Sequence, residues 1–239
     1  MAEKKQIISK GIAYGKVEFL KTRVNTFLNE NNDIDEISKF RSAVKKATKK
    51  IKNHIEDIDK NNDNRISDIF LSHKYIINDP IVLEDTEKYI LEGEKALEAY
   101  SIVIKEVLNK FKKIDNEYML GRIVDIIDAS DRVKQELKNE ELLYSLDFDE
   151  PTILILEELK PSVVYNLNNK NIVGFITKKG NFNQHSGIIA RTLNIPGIVC
   201  ENAEEKITET DKVLIDCFKG NVYINPNKKT IKKIMEESR

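Results

Sequence analysis

An α/β domain interrupted by an inserted all-helical bundle is the architecture this 239-residue sequence predicts. Three observations lead there. Short apolar runs rich in β-branched residues stand at both ends of the chain. From about residue 32 to residue 141 there is one proline, Pro80, two glycines, Gly93 and Gly121, and helical periodicity throughout. The first strands find no strand partner in that helical stretch. Residues 1–22 are therefore expected to pair with strands in 144–239, leaving 30–143 as the insert.

In chain order, Gln6-Ile7-Ile8 to Val17-Glu18-Phe19-Leu20 reads as two short strands around Gly11 and Gly15. Ile34, Ile37, Phe40, Val44, Ala47, Ile51, Ile55 and Ile58 recur at three- and four-residue steps, the stripe of one long amphipathic helix. Asp63-Asn64 starts a second helix carrying Ile66, Ile69, Phe70, His73, Ile76 and Ile77. Asp79-Pro80 ends it and opens a third. Helices over Lys95–Phe111 and Asp115–Leu137 complete the bundle. Thr152–Leu156 and Ile172–Thr177 are runs suited to strands buried on both faces, with a helix from Pro161 to Asn168 between them. Lys212–Asp216 and Asn221–Ile224 form a strand pair around Gly220. Pro226 precedes a final helix over 227–237, whose Lys228-Lys229 and Lys232-Lys233 pairs are its solvated face.

The totals narrow the function classes. Thirty-nine basic and forty acidic residues give a net charge of −1 with the signs interspersed, so neither nucleic acid nor an anionic membrane is an expected partner. Cys200 and Cys217 lie far apart with no histidine at ligand spacing, so no metal site or disulfide framework is expected. No apolar run of about 18 residues and no signal-peptide pattern is present, which predicts a cytoplasmic protein.

The most informative stretch runs from Gly180 to Val199. His185 stands at the end of a glycine- and amide-rich loop, where Ile188, Ile189 and Leu193 begin one helical face. Asn194 and Pro196 stop that helix, and Gly197–Cys200 reads as a buried strand. A helix N-terminus has free backbone N–H groups and a dipole that favours anions, which suits a histidine carrying a phosphoryl group. Donors would be the N–H groups of Ser186, Gly187 and Ile188 and the Ser186 hydroxyl. Gly180 and Gly187 would let backbone approach a phosphate closely. The plain alternative is a helix-capping histidine. His73, on an apolar face beside Ile76 and Ile77, is either a packed core residue or an interface histidine. His54 is read as structural, and Arg122 as either a surface partner of Asp125 or a contact for a partner protein.

These motifs resemble the N-terminal half of the phosphoenolpyruvate–protein phosphotransferase family, Enzyme I of the bacterial phosphotransferase system. The carriers of the resemblance are Gly180, His185, Ala190-Arg191, Leu193, Pro196 and Ile198-Val199; Gly11-Ile12-Ala13-Tyr14-Gly15; and Ile69-Phe70-Leu71-Ser72-His73 to Asp79-Pro80. Glu117-Tyr118 to Arg122 and Asp128, and Asn221 to Pro226, extend it over nearly the whole chain. The resemblance implies a phosphohistidine α/β domain with an inserted helical domain that docks the small carrier HPr. It implies phosphorylation of His185, on Nε2, and reversible transfer to a histidine of HPr. Gly180, Asn183, Ser186, Gly187 and Arg191 would bind the phosphate, and His73, Ile76, Ile77 and Arg122 the carrier. In the family, phosphoenolpyruvate and magnesium belong to a barrel domain that follows this region. The sequence accordingly reads as the N-terminal half only, with no cofactor of its own. Asn181, Phe182, Asn183 and Gln184 stand where the family has Gly, Arg, Thr and Ser, and Val164 where it has a threonine. Asn64, Arg65 and Leu71 replace acidic residues of the docking helix. The alternatives are a docking or regulatory module without transfer, and the swivel domain of a dikinase-type enzyme.

Overall fold

The computed structural model describes residues 5–20, 22–26, 35–59, 64–114, 116–144, 148–166, 171–180 and 185–237. The chain divides into two compact units, Met1–Thr22 with Tyr144–Arg239, and Arg23–Leu143. The first is α/β and the second almost wholly helical, so the α/β plus all-α fold class is the one observed.

The α/β unit is built on strands β1 (Ile7–Ser9) and β2 (Ile12–Phe19). After the helical unit come β5 (Thr152–Glu158), α6 (Pro161–Asn166), β6 (Ile172–Lys179), α7 (His185–Thr192), β7 (Gly197–Val199), α8 (Ala203–Lys206), β8 (Lys212–Asp216), β9 (Asn221–Ile224) and α9 (Lys228–Glu237). The elements between β2 and β5, from β3 (Thr22–Thr26) through β4 (Glu140–Tyr144), belong to the helical unit. The seven strands form one mixed sheet in the order β1-β7-β6-β5-β2-β8-β9. Strands β2, β5, β6 and β7 are mutually parallel, while β1, β8 and β9 join antiparallel. Thus β2 sits inside the sheet between β5 and β8, with Val17 opposite Ile153 and Ala13 opposite Ile215. Both central neighbours of β2 follow the insert in sequence. One face of the sheet packs Ile153, Ile155, Ile176, Ile198, Val213 and Ile215 into a single apolar cluster.

The N-terminal strands differ from the expectation. Gly15 does not interrupt a strand but lies inside the eight-residue β2. A Cβ there would stand 2.4 Å from the Pro151 carbonyl oxygen, so Gly15 marks a close backbone approach rather than a turn. The break falls at Gly11 alone, whose φ is +138°.

In the second unit, β3 (Thr22–Thr26) and β4 (Glu140–Tyr144) form a two-stranded sheet that the sequence reading missed. Between them run α1 (Glu36–Asp59), α2 (Asn64–Ile77), α3 (Pro80–Leu91), α4 (Ala96–Lys112) and α5 (Glu117–Lys138). The α1 stripe is buried at Phe40, Val44, Ala47, Ile51 and Ile58, against Ile66, Ile69, Phe70 and Ile77 of α2 and Val133 and Leu137 of α5. Asp35 caps α1 through Ser38 N–H, and Asp79 caps α3 through the N–H groups of Ile81 and Val82. Lys95 offers α4 no side-chain cap. Glu36 of α1 takes that place, accepting from Ala96 N–H at 2.6 Å.

Phe70 is the hub of the bundle. His54 and His73 each lie 5.8 Å from its ring, and the Arg132 guanidinium 5.4 Å over it. Burial, reinforced by Arg132, pushes His54 from its ordinary 6.5 down to about 4. The folded state therefore keeps this imidazole neutral while an unfolded chain takes up a proton below pH 6.5. Stability from this group is complete above that pH and is lost as the pH falls towards 4. Because the ring is partly exposed, the expected loss is about 1–2 kcal/mol. Urea unfolding followed by helical ellipticity at pH 7 and pH 4.5 measures it, and His54→Gln is expected to flatten the difference. Among the described residues no helix is long and apolar enough to cross a membrane.

Candidate active site

Strand β6 is a parallel strand buried through Gly174–Thr177 that delivers the chain to Gly180, whose φ of +133° turns it out of the sheet. Asn181–Gln184 lie outside the described residues, and with them the predicted phosphate ligand Asn183. The chain resumes at His185, the first residue of α7. The first-turn N–H groups of that helix, those of His185, Ser186 and Gly187, have no carbonyl partner within it, as every helix start requires. His185 is half-buried, with its Nδ1 buried. Gly187 is buried one residue beyond Ser186, whose side chain is outside the description.

The far end of α7 is fixed by the backbone. Asn194 adopts φ +54°, its N–H donates to Arg191 O, and Ile195 N–H donates to Ala190 O. This paired closure is the usual left-handed helix stop, with asparagine where glycine is commonest, and Pro196 follows it. Ile189 and Ala190 are fully buried, so the helix is held on its inner face while its start stays accessible.

Arg191, expected on the phosphate, lies in the last turn of α7, six residues and about 9 Å along the axis from His185. Its Nη1 donates to the Ile8 carbonyl of β1 at 3.1 Å, and burial lowers its pKa. That bond ties α7 to the sheet edge.

Val164 falls in α6, which packs against α7, though its side chain is outside the description. Thr177 of β6 is wholly buried, and its hydroxyl has no hydrogen-bond partner among the described residues.

In the helical unit the expected carrier contacts separate. His73 and Ile77 are fully buried and have no surface to offer a partner. His73 packs on Phe70 with Nε2 3.8 Å from Asp125 and Nδ1 3.9 Å from Asp128, both carboxylates buried and both distances longer than a direct hydrogen bond. Ile76 is half-buried, and the Arg122 side chain is 29% exposed, 3.5 Å from Asp125. The side chains of Asn64 and Arg65 are outside the description, and Leu71 is half-buried. Sequence reasoning missed two exposed apolar side chains on either side of the α2–α3 break, Tyr75 at 67% and Ile81 at 66%. A signal existed: both fall off the buried stripes Ile69-Phe70-His73-Ile77 and Val82-Thr86-Ile90. Among the described residues no group of three or more His, Cys, Asp or Glu is placed to hold a metal ion.

Comparison with known proteins bears on this arrangement. Residues 6–122 match the family model for the N-terminal region of PEP-utilising enzymes, and residues 148–220 the model for their mobile domain, which includes β6, His185 and α7. The phosphoenolpyruvate-protein phosphotransferase of Staphylococcus carnosus is 31% identical over 233 residues, covering 96% of this chain and 41% of its own length. That of Bacillus subtilis is 32% identical over 240 residues, with 96% and 41% covered. The chain therefore spans about two-fifths of the length of these relatives. An NMR solution structure of an Enzyme I protein superposes with a TM-score of 0.71 at 27% identity, covering 98% of this chain and 97% of that one. A structure of the N-terminal domain of the nitrogen Enzyme 1, at 16% identity and TM-score 0.53, shares the fold. The chain belongs to the PEP-utilising enzymes, carrying their N-terminal and mobile domains.

Proposed function

We propose that this chain is the phosphohistidine and carrier-docking portion of a phosphoenolpyruvate-protein phosphotransferase, acting in the cytoplasm. The observation that carries the reading is the position of His185 as first residue of α7, inside the mobile-domain match. Burial of Nδ1 leaves Nε2 as the attacking nitrogen. In the transfer, the Nε2 lone pair attacks the phosphorus of a carrier phosphohistidine in line with the breaking P–N bond. The P–N bond to the carrier breaks as the new one forms, and the carrier imidazole leaves with the electron pair. The free first-turn N–H groups of Ser186 and Gly187 supply charge stabilisation to the phosphoryl oxygens at the positive end of the helix dipole. Because His185 is donor in one direction and acceptor in the other, the reaction is reversible.

The helical unit is assigned to docking an HPr-type carrier, with Ile76 and Arg122 joined by Tyr75 and Ile81 rather than by the buried His73 and Ile77. The relatives extend well beyond the matched region, and the steps that use phosphoenolpyruvate and magnesium are assigned to that remainder.

To test the proposal, the chain is mixed with phosphorylated HPr-type carrier from the same source and followed by intact mass. The expected result is an acid-labile gain of one phosphate that reverses when excess unphosphorylated carrier is added. Carrier binding seen by NMR without any phosphate exchange would reject transfer and leave a docking module.

A further inference from the structure

The break at Asn78-Asp79-Pro80 shapes a groove beside it. It redirects α3 so that it packs mainly along α4 and touches α1 at few points. The wedge left between α1 and α3 is a cavity of about 460 Å³, within the size range of small-ligand sites. Its floor is apolar, made by Phe40, Val44 and Leu83. Two side-chain ties span the wedge about two turns of α1 apart. Arg41 donates to both carboxylate oxygens of Glu87 at 2.7 and 2.8 Å, and Asn78 Nδ2 donates to Thr48 Oγ1 at 3.0 Å.

The rim carries a one-sided charge. Lys45, Lys49 and Lys52 recur at four- and three-residue steps along one face of α1 and line the cavity. On the same helix Lys39, Arg41 and Lys50 are paired with Glu36, Glu87 and Glu136. The three rim lysines form no ion pair among the described residues, and the single acid of the lining, Glu87, is taken by Arg41. An apolar floor two helical turns long, bordered by three uncompensated cations, matches a ligand with a short apolar body and an anionic head.

We propose that this groove binds a small amphiphilic anion, its alkyl or aryl body on Phe40, Val44 and Leu83 and its phosphate or carboxylate group at Lys45, Lys49 and Lys52. The site is separate from α7 and does not depend on the phosphotransfer reading. The Arg41–Glu87 and Asn78–Thr48 ties cross the groove and interrupt the continuous apolar track that a partner helix needs, which favours a small molecule.

The test is a titration of the whole chain with octyl phosphate below its micelle concentration, followed in ¹H–¹⁵N spectra. Saturable shifts are expected at residues 40–52 of α1 and at 78–87, and not at Tyr75. Inorganic phosphate lacks the body and octanol the charge, so each is expected to bind about tenfold more weakly or less. The variant K45E/K49E/K52E, altered only at exposed positions, is expected to keep its helical ellipticity and lose about tenfold or more in affinity, the sum of three modest surface attractions. K45Q/K49Q serves as a milder variant with an intermediate loss. Equal shifts from octyl phosphate and octylammonium, shifts centred elsewhere, or an unchanged affinity in both variants would overturn the site. So would an acidic amphipathic peptide that shifts these residues while octyl phosphate does not.

Discussion

His185→Ala is expected to bring acid-labile phosphate on the chain to background, a fall of at least about a thousandfold, because the remaining imidazoles, His54 and His73, are packed against Phe70. The fold is expected to survive. His185 is half-buried at the first position of α7, whose hold on the sheet comes from Ile189, Ala190 and the Arg191–Ile8 bond. Intact mass after incubation with phosphorylated carrier reads the first effect, and a thermal scan the second. If the variant is folded and still gains an acid-labile phosphate, the nucleophile is elsewhere and the assignment of His185 fails.

Gly197→Ala is expected to have the largest effect on stability. Gly197 lies opposite Phe175 in the parallel β6–β7 pair, and Phe175 is fully buried. A Cβ at Gly197 would stand 1.9, 2.3 and 2.4 Å from three carbons of that ring. One methyl group must therefore displace an aromatic ring at the centre of a close-packed core. The expected cost is about 2–3 kcal/mol, or about 10 °C in the melting temperature of the α/β unit. Combining it with Phe175→Leu, which clears the space, is expected to recover part of the loss, giving a non-additive cycle. An alanine variant that melts with the parent would show that the ring yields freely.

Much of this protein was legible as one-dimensional text. The stripe Phe40-Val44-Ala47-Ile51-Ile58 specified α1, because a period of 3.6 with one apolar face has few other ways to bury itself. Asp79-Pro80 and Asn194-Pro196 specified two helix boundaries, because proline at N1 and a left-handed asparagine act within a few residues of themselves. The pairing of the first strands with the C-terminal sheet followed from counting partners, and the register of β2 between β5 and β8 displays it. His185 at a helix start was legible for the same local reason.

What only the tertiary structure decided is everything that depends on which distant groups meet. The stripe separates His73 and Ile77 from the exposed Tyr75 on one helix, but only the fold brings His73 beside the buried Asp125 and Asp128 of α5. Arg191 reads as a cation near a phosphate site until the Ile8 carbonyl, 183 positions earlier, is seen to take it. Glu36 reads as one more surface acid, yet it caps α4 from 60 residues away. Local chemistry fixes dihedrals and periods through bonds only a few residues long. The partners of a buried polar group and the space beside a glycine are set by chain segments that sequence distance does not order.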